Sequence, residues 1–498
     1  MTKNLMVFGT GSHVGKSIVV TALCRLLSRR YNVAPFKAQN MSLNSWVTGD
    51  GREIGIAQAI QAKAAGLEPS ADMNPVLLKP KGDHISQVVI LGKPYADKKA
   101  GEYYDSISGI MDIVKDAYSR LSSAHEVIII EGAGGAAEIN LYHRDIVNIG
   151  MARLVKPPII LVGDIERGGV FASIYGTLQL LPLDVRPLVR GIIINKFRGD
   201  MSLLEPGIKQ LEELTELPVL GVIPFTDMRI PSEDSVSIKD KTRNVRPVRI
   251  AVIRLPHISN FTDFEPLEHY ADVRYVEPEH ELNGPDAIIL PGTKNTIDDL
   301  KELKSKGMDK EIITEAKKGT PVIGICGGYQ MLGEEITDSG IEGTGGACSI
   351  KGLGLLNVST RFGRYDKHTR QVEKLVTGDG EILGPIKGEK VRGYEIHMGE
   401  TLINPSKKDE DIWVYQTEGG EHAFGDDGSV SQNGRVIGTY LHGLFENENI
   451  RNSFLGYLFK RKGLTYKDEE MSDGIEELAK FVEAHVDMNL IHNMLEGQ

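Results

Sequence analysis

Cysteine is scarce in this chain. Only Cys24, Cys326 and Cys348 stand among its 498 residues, too few and too scattered for a disulfide framework or a zinc site. A reducing, cytoplasmic setting is therefore expected. An excess of basic residues is lacking too. The 57 Lys and Arg face 69 Asp and Glu, a formal charge of -12, which argues against nucleic acid as the main partner. It leaves room for a small anionic substrate held in a local basic pocket. No run of about 18 apolar residues occurs, so no membrane partner is expected. Met1 leads quickly into the strand-like run 5–8, with no basic-then-apolar leader. Repeats and low-complexity tracts are absent as well.

What is present reads as an ordinary globular chain, 41% hydrophobic and 25% charged. Its length exceeds the roughly 250–300 residues at which one core stops growing, so two domains are expected. The first half alternates apolar runs (5–9, 33–37, 127–132, 158–164, 191–195, 219–224) with amphipathic stretches (17–30, 103–121, 203–214). That rhythm predicts a mostly parallel sheet covered by helices on both faces. The polar stretch 239–246 has no apolar period and reads as a linker. The rhythm then restarts at 249–255, 273–276, 287–291 and 322–326, with later strands at 394–401 and 436–442 and a helical end beyond 450. The expected domains are thus 1–238 and 247–498.

Two segments carry chemistry. Gly9-Thr10-Gly11-Ser12-His13-Val14-Gly15-Lys16-Ser17 joins the first strand to the first helix. Amides of such a glycine-rich turn point inward and bind phosphate oxygens. Gly11, Ser12 and Gly15 would cradle ATP phosphates, Lys16 would reach the outer ones, and Ser17 would hold Mg²⁺ by its hydroxyl. The strict Walker spacing needs glycine where Thr10 stands; here the glycine comes one residue earlier. Lys37 ends the second strand, at the edge where parallel-sheet ligands bind. Glu131 ends another apolar strand, where a carboxylate can coordinate Mg²⁺. Taken alone, either could be an ordinary strand end; beside the loop they favour a nucleotide site.

The second segment is Val322-Ile323-Gly324-Ile325-Cys326-Gly327-Gly328. Glycines around the cysteine permit a strained strand-to-helix turn that exposes the thiol. A helix N-terminus and a neighbouring imidazole would favour the thiolate nucleophile. His442, in Tyr440-Leu441-His442-Gly443, also ends a strand and is the base candidate. Cys24 reads as core, Cys348 has no visible base nearby, and His397 is open between substrate contact and structure.

The Cys326 elbow and the His442 strand resemble the class I glutamine amidotransferases. Leu290-Pro291-Gly292-Thr293-Lys294 is similar to that family's oxyanion loop, so the resemblance implies Gly292 and Gly327 at the glutamine. The usual His-x-Glu reads His442-Gly443-Leu444 here, so the third triad member is missing from its usual place. A backbone carbonyl, a water or Glu446 are the candidates to orient His442. The phosphate loop resembles that of dethiobiotin synthetase, a P-loop relative. Long blocks of the first half resemble the cobyric acid synthase family: Ala38-Gln39-Asn40-Met41-Ser42-Leu43-Asn44-Ser45, Glu53-Ile54-Gly55-Ile56-Ala57-Gln58, Glu131-Gly132-Ala133-Gly134-Gly135-Ala136-Ala137-Glu138-Ile139-Asn140-Leu141 and Asp164-Ile165-Glu166-Arg167-Gly168-Gly169-Val170-Phe171-Ala172.

That resemblance implies an ATP- and Mg²⁺-dependent ligase using glutamine as nitrogen donor. It implies amidation of the b, d, e and g carboxylates of a corrinoid, from the a,c-diamide to cobyric acid, through acyl phosphates. The competing readings are a cobyrinic acid a,c-diamide synthase and a MinD-like regulatory ATPase carrying a degenerate amidotransferase domain. A homo-oligomeric assembly remains open.

Overall fold

The computed structural model describes residues 2–82, 85–105, 107–226, 246–343, 346–404, 422–468 and 473–497. The chain forms two compact units. One gathers Met1–Ser42, Arg52–Glu233 and Met471–Gln498; the other gathers Leu43–Gly51 and Asp234–Glu470.

The first unit is built on a six-stranded sheet of β1 (Lys3–Gly9), β2 (Val33–Phe36), β3 (Val127–Glu131), β4 (Ile159–Asp164), β5 (Val189–Phe197) and β6 (Val219–Pro224). Its order is β6-β5-β4-β1-β3-β2, and every neighbouring pair is parallel. Alternation along β1 shows why both faces are covered. Leu5 and Val7 join a core with helix α1 (Lys16–Ser28). Met6 and Phe8 join a core with Val114, Ala117 and Leu121 of the helix Ile107–Ala124. Successive strand residues face opposite sides, so a sheet buried on both faces reads as a continuous apolar run. The apolar runs read from the sequence match these strands to within one or two residues. A smaller sheet of Gln39–Met41, Val76–Gly82, Ile85–Ile90 and Lys93–Lys99 was not foreseen.

The domain boundaries differ from the expectation at both ends. The helices Gly474–Glu483 and Met488–Glu496 pack in the first unit, although the sequence reading put them in the second. Leu478, Val482, Ile491 and Leu495 are all fully buried there, in the same core as α1. Ion pairs Arg25–Glu476 at 2.7 Å, Arg29–Glu483 at 3.0 Å and Arg30–Glu496 at 2.9 Å flank that contact. Exposed pairs contribute about 0–1 kcal/mol each, whereas burying one such aliphatic side chain contributes about 1.5–3 kcal/mol. The apolar contact therefore decides where the helices sit. Residues Leu43–Gly51, expected in the first domain, belong to the second unit. The expected linker 239–246 lies, apart from Arg246, outside the described residues.

The second unit has a sheet of β7 (Arg249–Ile253), β8 (Asp272–Val276), β9 (Ala287–Leu290), β10 (Val322–Ile325), β11 (Ser429–Val430) and β12 (Val436–Thr439). The order is β8-β7-β9-β10-β12-β11, parallel except for the last pair. A four-stranded sheet containing Val358–Phe362 and a hairpin of His368–Leu375 with Lys390–His397 complete it. Both units are therefore α/β, as expected. Among the described residues no helix is long and apolar enough to cross a membrane.

Candidate active sites

In the first unit the turn after β1 enters α1 through Gly15, whose φ of 98° lies in the left-handed region. A Cβ at Gly15 would stand 2.0 Å from Asn195 Nδ2, and that amide donates to Val14 O at 2.9 Å. Position 15 thus admits only glycine. Lys16 is buried, and its Nζ donates to Gly11 O at 3.0 Å and Gly134 O at 2.8 Å. These carbonyls hold the amine across the mouth of the turn. Ser12 is exposed on the turn.

Glu131, fully buried at the end of β3, is the centre of this site. Ser17 Oγ donates to its Oε1 at 2.8 Å and Lys37 Nζ at 2.9 Å, while Gln61 Nε2 donates to Oε2. A buried carboxylate is tolerated only when paired and hydrogen-bonded in this way. The structure brings Ser17, Lys37 and Glu131 together, with Lys37 bonded to the carboxylate. Gln61 was not foreseen; a glutamine on an amphipathic helix carries no signal of its own. A hydroxyl and a carboxylate beside a glycine-rich turn are hard oxygen donors that fit Mg²⁺. No group of three or more His, Cys, Asp or Glu side chains gathers as a ready-made metal cage among the described residues. Magnesium needs none, since it takes one or two protein ligands and completes its shell with phosphates and water.

In the second unit Cys326 follows β10 and opens α2 (Gly327–Leu332) with φ 53° and ψ -112°. A non-glycine residue in that region is strained and held by its surroundings. Cys326 N donates to Thr439 O at 2.8 Å. A Cβ at Gly328 would lie 2.0 Å from Leu290 O, so the turn closes only with glycine there. The thiol donates to Ile396 O at 3.5 Å and is hydrogen-bonded to His442. A Cβ on Gly292 would lie 3.1 Å from His442 Cε1, and one on Gly327 would lie 2.6 Å from Thr293 Cγ2. Cys326, His442, Gly292 and Gly327 are therefore neighbours.

His442 is almost fully buried, and its partner is Asp263. Nδ1 lies 2.7 Å from Asp263 Oδ2, and Gly443 N donates to Asp263 Oδ1 at 2.9 Å. The carboxylate that orients the imidazole thus comes from a turn 179 positions upstream, and Glu446 does not take that role. Burial alone would push the imidazole down. The Asp263 charge and hydrogen bond, with the bond to Cys326, more than offset this and raise it to about 10. Tyr394 stacks on the ring at 5.4 Å and 18°. His397 stacks on Tyr440 with centroids 3.6 Å apart, and burial lowers it to about 4. Cys24 lies fully buried behind the phosphate turn.

Sequence comparison matches each half of the chain to a family of domains. Residues 5–237 match the CobQ/CobB/MinD/ParA nucleotide binding domain, and residues 249–450 match the CobB/CobQ-like glutamine amidotransferase domain. A probable cobyric acid synthase of Methanosarcina mazei is 62% identical, covering 98% of each chain. The chain belongs to the cobyric acid synthase family. Those of Methanosarcina acetivorans, 60% identical, and Methanosarcina barkeri, 59% identical, each match over 99% of both chains. Membership of the cobyric acid synthase family excludes the reading of a regulatory ATPase with a decayed second domain. Asp263 went unread because Asn260-Phe261-Thr262-Asp263-Phe264 carries no triad signature; only its neighbour in space reveals it.

Proposed function

We propose that the chain is a glutamine-hydrolysing, ATP-dependent amide ligase that converts cobyrinic acid a,c-diamide to cobyric acid by amidating the b, d, e and g carboxylates. The observation that carries the glutaminase half is the Cys326–His442–Asp263 array. His442, held by Asp263, takes the thiol proton as imidazolium and steadies the thiolate. The thiolate attacks the side-chain amide of glutamine. The imidazolium returns its proton to the leaving nitrogen, and ammonia departs. Water, activated by the neutral imidazole, then cleaves the thioester to glutamate. Amides of the Gly292 loop and of Gly327 are the donors suited to the developing oxyanion.

The first unit, which gathers Met1–Ser42, Arg52–Glu233 and Met471–Gln498, is read as the synthetase. A carboxylate is a poor electrophile until it gains a good leaving group. Transfer of the γ-phosphoryl of ATP makes an acyl phosphate, and ammonia displaces phosphate to leave the amide. Gly11, Ser12, Gly15, Lys16 and Ser17 line the phosphate turn, and Lys16 would leave its carbonyl partners to meet the outer phosphates. Mg²⁺, held by Ser17 and Glu131, would offset charge as the phosphoryl group moves. Lys37 pairs with the buried Glu131 at 2.9 Å and would stand beside the transferred group. The runner-up is the a,c-diamide synthase, which shares this chemistry. Offering cobyrinic acid and its a,c-diamide separately decides between them. Amidation of the diamide supports the proposal; turnover confined to the a and c carboxylates refutes it.

A further inference from the structure

The glutaminase site is braced by a stretch of chain that the nucleotide domain's sequence surrounds. Leu43–Gly51 belongs to the second unit, while the residues on both sides of it, Met1–Ser42 and Arg52–Glu233, build the first. The stretch is deeply seated: Asn44, Ser45, Val47 and Thr48 are each no more than 1% exposed. It grips the triad from two sides. On one side Asn44 Oδ1 accepts from Phe261 N at 3.2 Å, and Ser45 N donates to Asn260 Oδ1 at 3.0 Å. Asn260, at φ 51°, caps the single helical turn Phe261–Phe264 that carries Asp263. On the other side the Trp46 ring lies 4.9 Å from Tyr394, which stacks on His442. Tyr394 and His442 also exchange backbone hydrogen bonds at 3.2 and 2.9 Å. Val47 packs with Tyr394 and Ile396, and Ile396 O accepts from the Cys326 thiol.

We propose that Asn44 and Trp46 are positioning residues for glutamine hydrolysis, holding the Asp263 turn and the Tyr394–His442 stack in register. The proposal rests on Cys326, His442 and Asp263 acting as the triad. The physical ground is that catalytic geometry tolerates little slack, so a small displacement of an orienting group costs up to about 10²-fold in rate. Asp263 sits on one short turn, and a single turn has little stability of its own. Its first amide donates to Asn44, and its cap residue accepts from Ser45. Removing the Asn44 acceptor takes that partner from a buried amide, a desolvation penalty that is relieved if the turn moves. The turn is therefore expected to shift, taking the carboxylate with it.

The test uses the full-length chain and its Asn44→Ala, Trp46→Ala and Trp46→Phe variants. Glutamate release from glutamine should fall about 10–100-fold in kcat for the two alanine variants, with the KM for glutamine nearly unchanged. Trp46→Phe keeps a ring against Tyr394 and should restore most of the rate. The alkaline limb of the glutaminase pH profile should move to lower pH in Asn44→Ala, because a loosened Asp263 no longer holds the proton on His442. Ammonium-dependent amidation should stay within roughly twofold of the parent. Unchanged glutamate release in both alanine variants would overturn the proposal. Equal loss of glutamine- and ammonium-dependent amidation would overturn it too, because the stretch would then serve the fold as a whole. Cys326→Ala separates the two claims. If it spares glutamate release, the triad reading itself fails; if it abolishes release while Asn44→Ala and Trp46→Ala do not, only the positioning role fails.

Discussion

Asp263→Asn keeps the shape of the side chain and removes its charge. In the native site one carboxylate oxygen faces His442 Nδ1 at 2.7 Å and the other accepts from Gly443 N at 2.9 Å. An amide offers one acceptor and one donor. If its oxygen stays on Gly443 N–H, its NH2 meets Nδ1, and the ring must carry its proton on the nitrogen that should receive one from the thiol. If its oxygen turns to Nδ1, the NH2 opposes the Gly443 N–H, donor against donor. A hydrogen bond to a charged group is worth about 1.5–3 kcal/mol net, or about 10–150-fold. A wrong tautomer in a Ser-His-Asp triad costs about 10⁴-fold. Glutamate release should therefore fall between about 10- and 10⁴-fold, while ammonium-dependent amidation is retained.

The same variant has a pH signature. Asp263 raises His442 from its ordinary 6.5 to about 10 despite burial. A group whose pKa is raised on folding contributes stability that is full below the ordinary value and is lost as pH rises through the raised one. Stability of the second unit should thus decline from about pH 6.5 through about 10. The alkaline limb of glutaminase activity should fall with the imidazolium over the upper part of that range. In Asp263→Asn both the limb and the decline should move to lower pH. Pre-steady-state glutamate release across pH, with thermal unfolding in parallel, measures them. Wild-type rates and an unmoved alkaline limb would refute the triad assignment.

Cys326→Ala should abolish glutamine use and leave synthesis from added ammonium, measured as amide product with each nitrogen source; loss of both in a folded protein would contradict the division of labour. Lys16→Ala and Glu131→Ala should each lower amidation by roughly 10²–10³ or more with either source, since each removes an electrostatic partner of the transferring phosphoryl group. Near-normal ammonium-dependent turnover would speak against that placement. Leu478→Ala should cost about 2–5 kcal/mol, and the loss should appear in unfolding of the nucleotide unit, because Leu478 lies in the α1 core. A loss confined to the amidotransferase unit would show that the C-terminal helices are wrongly placed.

The parallel strands were legible because sheets buried on both faces leave uninterrupted apolar runs, and 219–224 reads to the residue as β6. Lys16, Ser17, Cys326 and His442 were legible because glycines needed for close turns surround them. Three features were not. Asp263 depends on a contact across 179 positions, and its own segment has no motif. The C-terminal helices look alike whichever unit they cover; only the apolar stripe of Leu478, Val482, Ile491 and Leu495 meeting α1 settles them. Residues Leu43–Gly51 sit inside a block that resembles one domain and pack in the other, which no local pattern of propensity or periodicity encodes.

Transfer of the glutamine amide nitrogen to the corrinoid tests the central claim most directly. The chain would be incubated with cobyrinic acid a,c-diamide, ATP, Mg²⁺ and glutamine labelled at its amide nitrogen, and the corrinoid followed by mass. Stepwise incorporation of four labelled nitrogens, ending at cobyric acid, is the expected result. Glutamate release with no label entering the corrinoid, or incorporation only when free ammonium is supplied, would contradict it.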